Sequence, residues 1–291
     1  MDSTQQHRLR LIGGPELCFV TAGDPSRPAL LLLHGFPSSS RTFRDVIPGL
    51  AQVAFVIAPD LPGYGQSEPL PETSFPALGE AIAELLRHLG VGRRFIYLHD
   101  YGAPVGLHLA MKEPGHVAGL IVQNANAHRS GFGPQWADTL AYWARPTPEN
   151  EAAATAHLTW EGTRAQDTAG APDEIVARIQ GEPWREDWRI MNLPGRMAVS
   201  RALIADYGNH AARFEAIGRY LAERQPPALM LWGRHDAFFA LAETQSWLGD
   251  LPRMEAHLFD AGHFLLETHA APAQALMIDF LRKTWPLTAE D

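Results

Sequence analysis

The stretch Arg94-Phe95-Ile96-Tyr97-Leu98-His99-Asp100-Tyr101-Gly102-Ala103-Pro104-Val105-Gly106-Leu107-His108-Leu109-Ala110-Met111 changes its hydrophobic pattern part-way along. Arg94 to Leu98 reads as a buried strand. From Gly102 the small residues read as a helix that packs close to a sheet, with Pro104 early, where a missing N–H is tolerated. A strand that breaks sharply into a helix presents the residue at the break to the space above the sheet, near the free N–H groups of the helix start. Asp100 occupies that break. Aspartate also favours helix N-caps, so taken alone the residue has two readings, a cap and a reactive carboxylate.

Outward from this segment, apolar runs alternate with turn residues. Strands are expected near 16–21, 29–33, 53–58, 94–98 and 117–123, with helices near 39–50, 76–89 and 103–112. Strand and helix in turn imply an α/β fold with a mostly parallel sheet covered on both faces. Pro28 marks the entry to Ala29-Leu30-Leu31-Leu32-Leu33, which is apolar throughout, as a strand buried on both faces should be. From Ala127 to Arg224 the pattern is helical and loop-like, with five of the eight tryptophans and no convincing strand. Alternation resumes with a strand at 228–232, a helix near 240–249, a strand near 254–259 and a helix near 271–284. The expected organisation is a core of residues 1–126 and 226–291, with 127–225 inserted as a helical lid over the carboxyl ends of the strands, where open α/β sheets bind ligands.

Composition narrows the function classes. At 291 residues, 46% hydrophobic and 20% charged, the chain suits a globular protein with one large core plus an insert. A net charge of -9 without a basic run disfavours nucleic acid and anionic membrane surfaces as partners. Cys18 is the single cysteine, so neither an internal disulfide nor a multi-thiolate metal site is possible. Thirteen histidines are present, yet none stands in H-E-x-x-H spacing, and neither metal nor cofactor is expected. Met1 to Arg10 is polar rather than signal-like and no run approaches the ~18 apolar residues of a membrane span, so the expected address is cytoplasmic.

Further candidate residues also follow strands, on the same edge of the sheet. In Leu33-His34-Gly35-Phe36-Pro37, Gly35 lets the backbone turn tightly, and the Phe36 N–H can join that of Tyr101 as an oxyanion hole above Asp100. Trp232-Gly233-Arg234-His235-Asp236 follows the next-to-last strand, and Phe259-Asp260-Ala261-Gly262-His263-Phe264 follows the last. The chain order is nucleophile, acid, base: Asp100, Asp236, His263. Ser67 lies in a turn-rich loop with no helix directly after it, and Ser200 falls inside a helical pattern, so a serine mechanism has no seat. Asp260 competes with Asp236 as the partner of His263; Asp236 is preferred because its loop follows a separate strand.

These motifs resemble the α/β-hydrolase superfamily over almost the whole chain, and within it the branch with an aspartate nucleophile, the epoxide hydrolases and haloalkane dehalogenases. The resemblance implies an eight-stranded sheet and a cofactor-independent reaction: Asp100 attacks an sp³ carbon, and water activated by His263 with Asp236 cleaves the resulting ester. Epoxide hydrolases polarise the ring oxygen with two lid tyrosines, which the resemblance places at Tyr142 and Tyr207. Haloalkane dehalogenases cradle halide with a tryptophan after the nucleophile and often an asparagine after the His-Gly turn, where this chain has Tyr101 and Phe36. Trp136 or Trp143 of the lid could supply one halide donor. Leu98 and Tyr101 depart from residues common in epoxide hydrolases, and Gly208-Asn209-His210 follows Tyr207 where an arginine is usual. Fluoroacetate dehalogenases share the His-Gly-Phe-Pro turn but carry arginines after the nucleophile, and Tyr101 to Val105 contains none. The expectation is an epoxide hydrolase for a small apolar epoxide, with Trp143, Phe238 and Phe264 contributing to an apolar pocket, acting as a monomer or homodimer; haloalkane dehalogenation is the alternative.

Overall fold

The computed structural model describes residues 4–288. Its centre is an eight-stranded sheet, β1 (Gln5–Arg10), β2 (Glu16–Ala22), β3 (Ala29–Leu33), β4 (Phe55–Pro59), β5 (Arg94–His99), β6 (Val117–Gln123), β7 (Ala228–Gly233) and β8 (Glu255–Phe259). The spatial order is β1-β2-β4-β3-β5-β6-β7-β8. The pairs β1·β2 and β2·β4 are antiparallel, and every later pair is parallel.

The continuous apolar runs of the central strands follow from burial on both faces. In β3, Leu31 and Leu33 enter one core layer while Leu30 and Leu32 enter the opposite one; in β5, Ile96 and Leu98 divide from Phe95 and Tyr97 in the same way. Each fully buried side chain of this kind contributes about 1.5–3 kcal/mol, so any register slip in the centre of the sheet is heavily disfavoured. One layer packs under α2 (Phe75–His88) and α3 (Gly102–Lys112), the other under α1 (Ile47–Leu50) and α12 (Leu266–Thr288).

Two expectations change. The opening segment carries a strand, β1, which Gln5, Gln6, His7, Arg8, Leu9 and Arg10 conceal because an edge strand with both faces largely solvated has no apolar alternation. The helix expected over 39–50 is a 3₁₀ turn at Ser40–Phe43 followed by the single turn of α1, since Pro48 and Gly49 leave no room for a longer helix.

Between β6 and β7 the regular elements are all helical: α4 (Ala137–Ala144), α5 (Pro148–Ala154), α6 (Trp160–Thr168), α7 (Asp173–Val176), α8 (Trp184–Met191), α9 (Arg196–Ala211) and α10 (Phe214–Arg224), with short 3₁₀ turns before α4. Polar contacts fasten this insert to elements around the sheet. Asp206 of α9 accepts the Phe75 N–H at the start of α2, 2.7 Å away, and Asp187 of α8 pairs with Arg41 at 3.2 Å. At the entry to the insert, the buried Glu243 of α11 (Glu243–Asp250) accepts the Ala127 and His128 N–H groups and the Ser130 hydroxyl at 2.7, 3.0 and 2.6 Å. No helix among the described residues is long and apolar enough to cross a membrane.

Candidate active site

Asp100 stands between β5 and α3 with φ +47, a left-handed conformation that costs a non-glycine residue about 1–2 kcal/mol. Two close approaches hold the turn. A Cβ on Gly102 would lie 2.3 Å from the Leu33 carbonyl, and one on Gly35 would lie 2.6 Å from the Asp100 Cβ. The carboxylate does not cap α3. Its Oδ1 accepts the Phe36 N–H at 2.6 Å, and the Tyr101 N–H also stabilises the charged form. Burial raises the Asp100 pKa, against the opposing pull of His263 and these two amides.

On the far side of the carboxylate, His263 Nε2 lies 3.9 Å from Asp100 Oδ2 and has no hydrogen-bond partner. His263 Nδ1 is 2.8 Å from Asp236 Oδ2. Asp236 is acceptor-only when ionised, so the proton belongs on Nδ1 and Nε2 is left as a base. Asp236 is itself held by the Asn124 amide at 2.8 Å and by the Phe238 and Phe239 N–H groups at 2.7 and 3.1 Å. Burial alone would lower the His263 pKa, but the charge and hydrogen bond of Asp236, with Asp100 adding to them, raise it overall.

A second set of buried polar groups orients this layer. The His99 ring lies 4.7 Å from that of His263, and its Nδ1 meets the Gln123 carbonyl at 3.1 Å. Gln123 binds the Tyr97 hydroxyl and donates to the His263 carbonyl at 3.2 Å. In the turn after β3, His34 Nε2 accepts the Leu61 N–H at 2.9 Å while Nδ1 donates to the Gly35 carbonyl at 3.0 Å, so this histidine is a neutral brace for the Phe36 amide. Asn124, at φ +37, accepts the Asp100 N–H through its carbonyl and the Gly233 N–H through its side chain at 3.3 and 2.9 Å. It ties the Asp100 turn to the Asp236 loop.

Above Asp100 lies a cavity of about 120 Å³. Phe36, Tyr101, Trp136, Ile204, Phe238 and Phe239 give it apolar walls, and Gln135, Thr139, His157, Gln166 and Tyr207 add polar groups. Tyr207 is 1% exposed and its hydroxyl has no partner. Its ring is clamped by Trp143 (stacked, 5.9 Å) and by the edge of Phe75 at 5.6 Å. Among the described residues no group of histidine, cysteine and carboxylate side chains has the arrangement of a metal site.

Residues 28–270 match the family model described as the alpha/beta hydrolase fold. The chain belongs to that family. An uncharacterised hydrolase of Saccharomyces cerevisiae is 32% identical over 269 residues, covering 90% of this α/β hydrolase and 92% of the yeast protein. A fluoroacetate dehalogenase of Burkholderia sp. is 29% identical over 298 residues, covering 95% and 93%. Among solved structures, the epoxide hydrolase CorEH superposes with a TM-score of 0.75 at 25% identity, covering 98% of this chain and all of that one.

The α/β hydrolase brings Asp100, His263, Asp236 and the Phe36 and Tyr101 amides together, with Tyr207 and Phe238 on the cavity wall. Asp260 is exposed and pairs with Arg234 and His235 at 2.8 and 2.6 Å, so it does not partner His263. Three expected residues stand elsewhere. Tyr142 is half-buried one turn beyond Thr139, the last α4 residue on the cavity wall, and packs into the core layer. Trp143 backs the Tyr207 ring rather than facing the cavity, with its indole N–H given to the Ile204 carbonyl at 2.8 Å. Phe264 packs against His99 and His263 at 5.0 and 5.3 Å, supporting the base from outside the cavity wall. Sequence reading missed His157, Gln166, Thr139 and Gln135. Gln135 and Thr139 carry one weak signal, an i, i+4 polar pair; the other two carry none.

Proposed function

We propose that this α/β hydrolase is an epoxide hydrolase acting through a covalent ester on Asp100. One observation carries the reading: Tyr207, whose hydroxyl is buried and unpartnered, lines the cavity that Asp100 also lines, while the indole N–H groups of Trp136 and Trp143 are taken by backbone carbonyls at 2.6 and 2.8 Å. The proton donor suited to an alkoxide is free, and the donors suited to a halide are engaged. No arginine or lysine lines the cavity among the described residues, so a carboxylate-bearing substrate such as fluoroacetate would have no counter-charge there.

In this mechanism an Asp100 oxygen forms a bond to an epoxide carbon, the C–O bond of the ring breaks, and the electron pair leaves on the ring oxygen, which takes a proton from Tyr207. His157, across the Phe36 ring at 6.0 Å, is the second polar ring on that wall. Water then attacks the Asp100 carbonyl carbon as His263 Nε2 takes its proton. The carbonyl oxygen becomes an oxyanion against the Phe36 and Tyr101 amides. Its collapse breaks the ester C–O bond, and the departing alkoxide takes the proton of the newly added hydroxyl and leaves as a vicinal diol. Asp100 is restored as a carboxylate, and the proton on His263 returns to Tyr207. Asp236, held by three other donors, keeps His263 in the tautomer this requires.

Diol formation from epoxides and halide release from haloalkanes, measured side by side, test the reading; halide release without diol overturns it. In the same assay Tyr207→Phe is expected to lower kcat by roughly 10²-fold. Tyr142→Phe should leave it within about twofold, the outcome normal for a substitution away from the site. Equal losses in the two variants would return Tyr142 to the site. Because His263 must be neutral to take the proton of water, and Asp236 holds its pKa above the ordinary value, the hydrolytic step should fail as pH falls. Pre-steady-state ester decay between about pH 5 and 9 should rise with pH through a midpoint above the ~6.5 of free histidine. A midpoint below that value would mean burial, rather than Asp236, sets the base.

A further inference from the structure

The buried face of α6 is polar where a core helix would be apolar. Thr163, Gln166 and Asp167 are 1%, 6% and 6% exposed, at positions i, i+3 and i+4. One of the three is accounted for, since the Thr163 hydroxyl donates to the Thr159 carbonyl at 2.8 Å. Asp167 lies in the field of Asp187, Glu267, Arg41 and Arg44, and its Oδ2 is buried without a hydrogen-bond partner. The third, Gln166, is 94% buried and lines the cavity. Its amide makes no hydrogen bond within the protein. The C-terminal end of the helix that carries it lies beside the loop of His263, with the Asp167 and Ala169 carbonyls 3.8 and 4.0 Å from where a Cβ on Gly262 would stand.

An amide so placed keeps its hydrogen bonds only through cavity water or a bound molecule. A substrate with a plain alkyl substituent displaces that water and leaves the amide unpaired, whereas one with a hydroxyl replaces what it displaces. We infer that Gln166 selects small epoxides carrying a hydroxyl or similar hydrogen-bonding group on the carbon next to the ring; this rests on the epoxide hydrolase reading and names its substrate class. The cavity, at about 120 Å³, favours a short substituent, since a cavity of roughly 150 Å³ holds benzene. The substrate is more polar than the aromatic walls alone suggest.

Glycidol and 1,2-epoxybutane test this directly, because they differ only by hydroxyl against methyl at that carbon. The wild-type kcat/KM should favour glycidol by roughly tenfold to a hundredfold. Gln166→Leu should bring the ratio near one, lowering kcat/KM for glycidol more than for 1,2-epoxybutane by the wild-type margin. Gln166→Asn, which withdraws the amide by one methylene, provides the same comparison should the leucine variant fold poorly. A wild-type preference for 1,2-epoxybutane, or a ratio unchanged in both variants, overturns the inference and leaves epoxide hydrolysis standing. Absence of diol from both epoxides removes the epoxide reading and the inference with it.

Discussion

Asp100→Asn is expected to reduce epoxide turnover by roughly 10⁴-fold or more, with little change in stability. Asparagine has nearly the shape of aspartate and tolerates the left-handed conformation seen at φ +47. Its amide oxygen can still accept the Phe36 N–H that Asp100 Oδ1 accepts at 2.6 Å. What it lacks is an anionic oxygen to attack carbon. Steady-state diol formation, thermal melting and intact mass belong in one experiment, because slow deamidation would regenerate aspartate and mimic residual activity. Full activity with asparagine intact would mean that water adds to the epoxide directly and no ester forms.

His263→Gln separates the two halves of the reaction. Asp100 can still be alkylated, but nothing takes the proton from the hydrolytic water, so ester cleavage should slow by roughly 10²–10⁴-fold and the intermediate should accumulate. The surroundings should survive, since Asp236 retains Asn124 and the Phe238 and Phe239 amides as donors. Exposure to styrene oxide and, in parallel, to 1-bromobutane, followed by intact-protein mass spectrometry, should give a gain of one whole epoxide mapping to Asp100. A butyl adduct alone transfers the reaction to dehalogenation. No adduct from either reagent means that Asp100 is not a nucleophile toward these classes.

Much of this arrangement is legible in the chain because its catalytic edge is built from buried parallel strands. Runs such as Ala29 to Leu33 and Arg94 to Leu98 leave no doubt where a strand ends, and the loops that follow hold His34, Asp100, Asp236 and His263 in an order that only a few folds bring together. The parts that escape reading lack such a signal. β1 has no apolar face to alternate. In the insert, the pattern reads as helical without placing α4 or saying how far along it the cavity reaches: Thr139 lines the cavity and Tyr142, one turn on, does not. The position of Gln166 depends on where α6 docks, and the ion pair that ties the neighbouring α8 to the core, Arg41 with Asp187, spans more than a hundred residues of sequence. Motif order constrains the base and acid; only tertiary packing constrains what meets the substrate.

The two strained turns at Asp100 and Asn124 touch, through the hydrogen bond from the Asp100 N–H to the Asn124 carbonyl. Glycine would relax both backbones, and it would also remove the carboxylate at one and, at the other, the amide that braces Asp236. Thermostability screening blind to turnover would therefore be drawn toward these two positions and would return variants without the proposed nucleophile or without one brace of Asp236. Any programme to harden this scaffold has to hold residues 100 and 124 constant and seek its gains elsewhere.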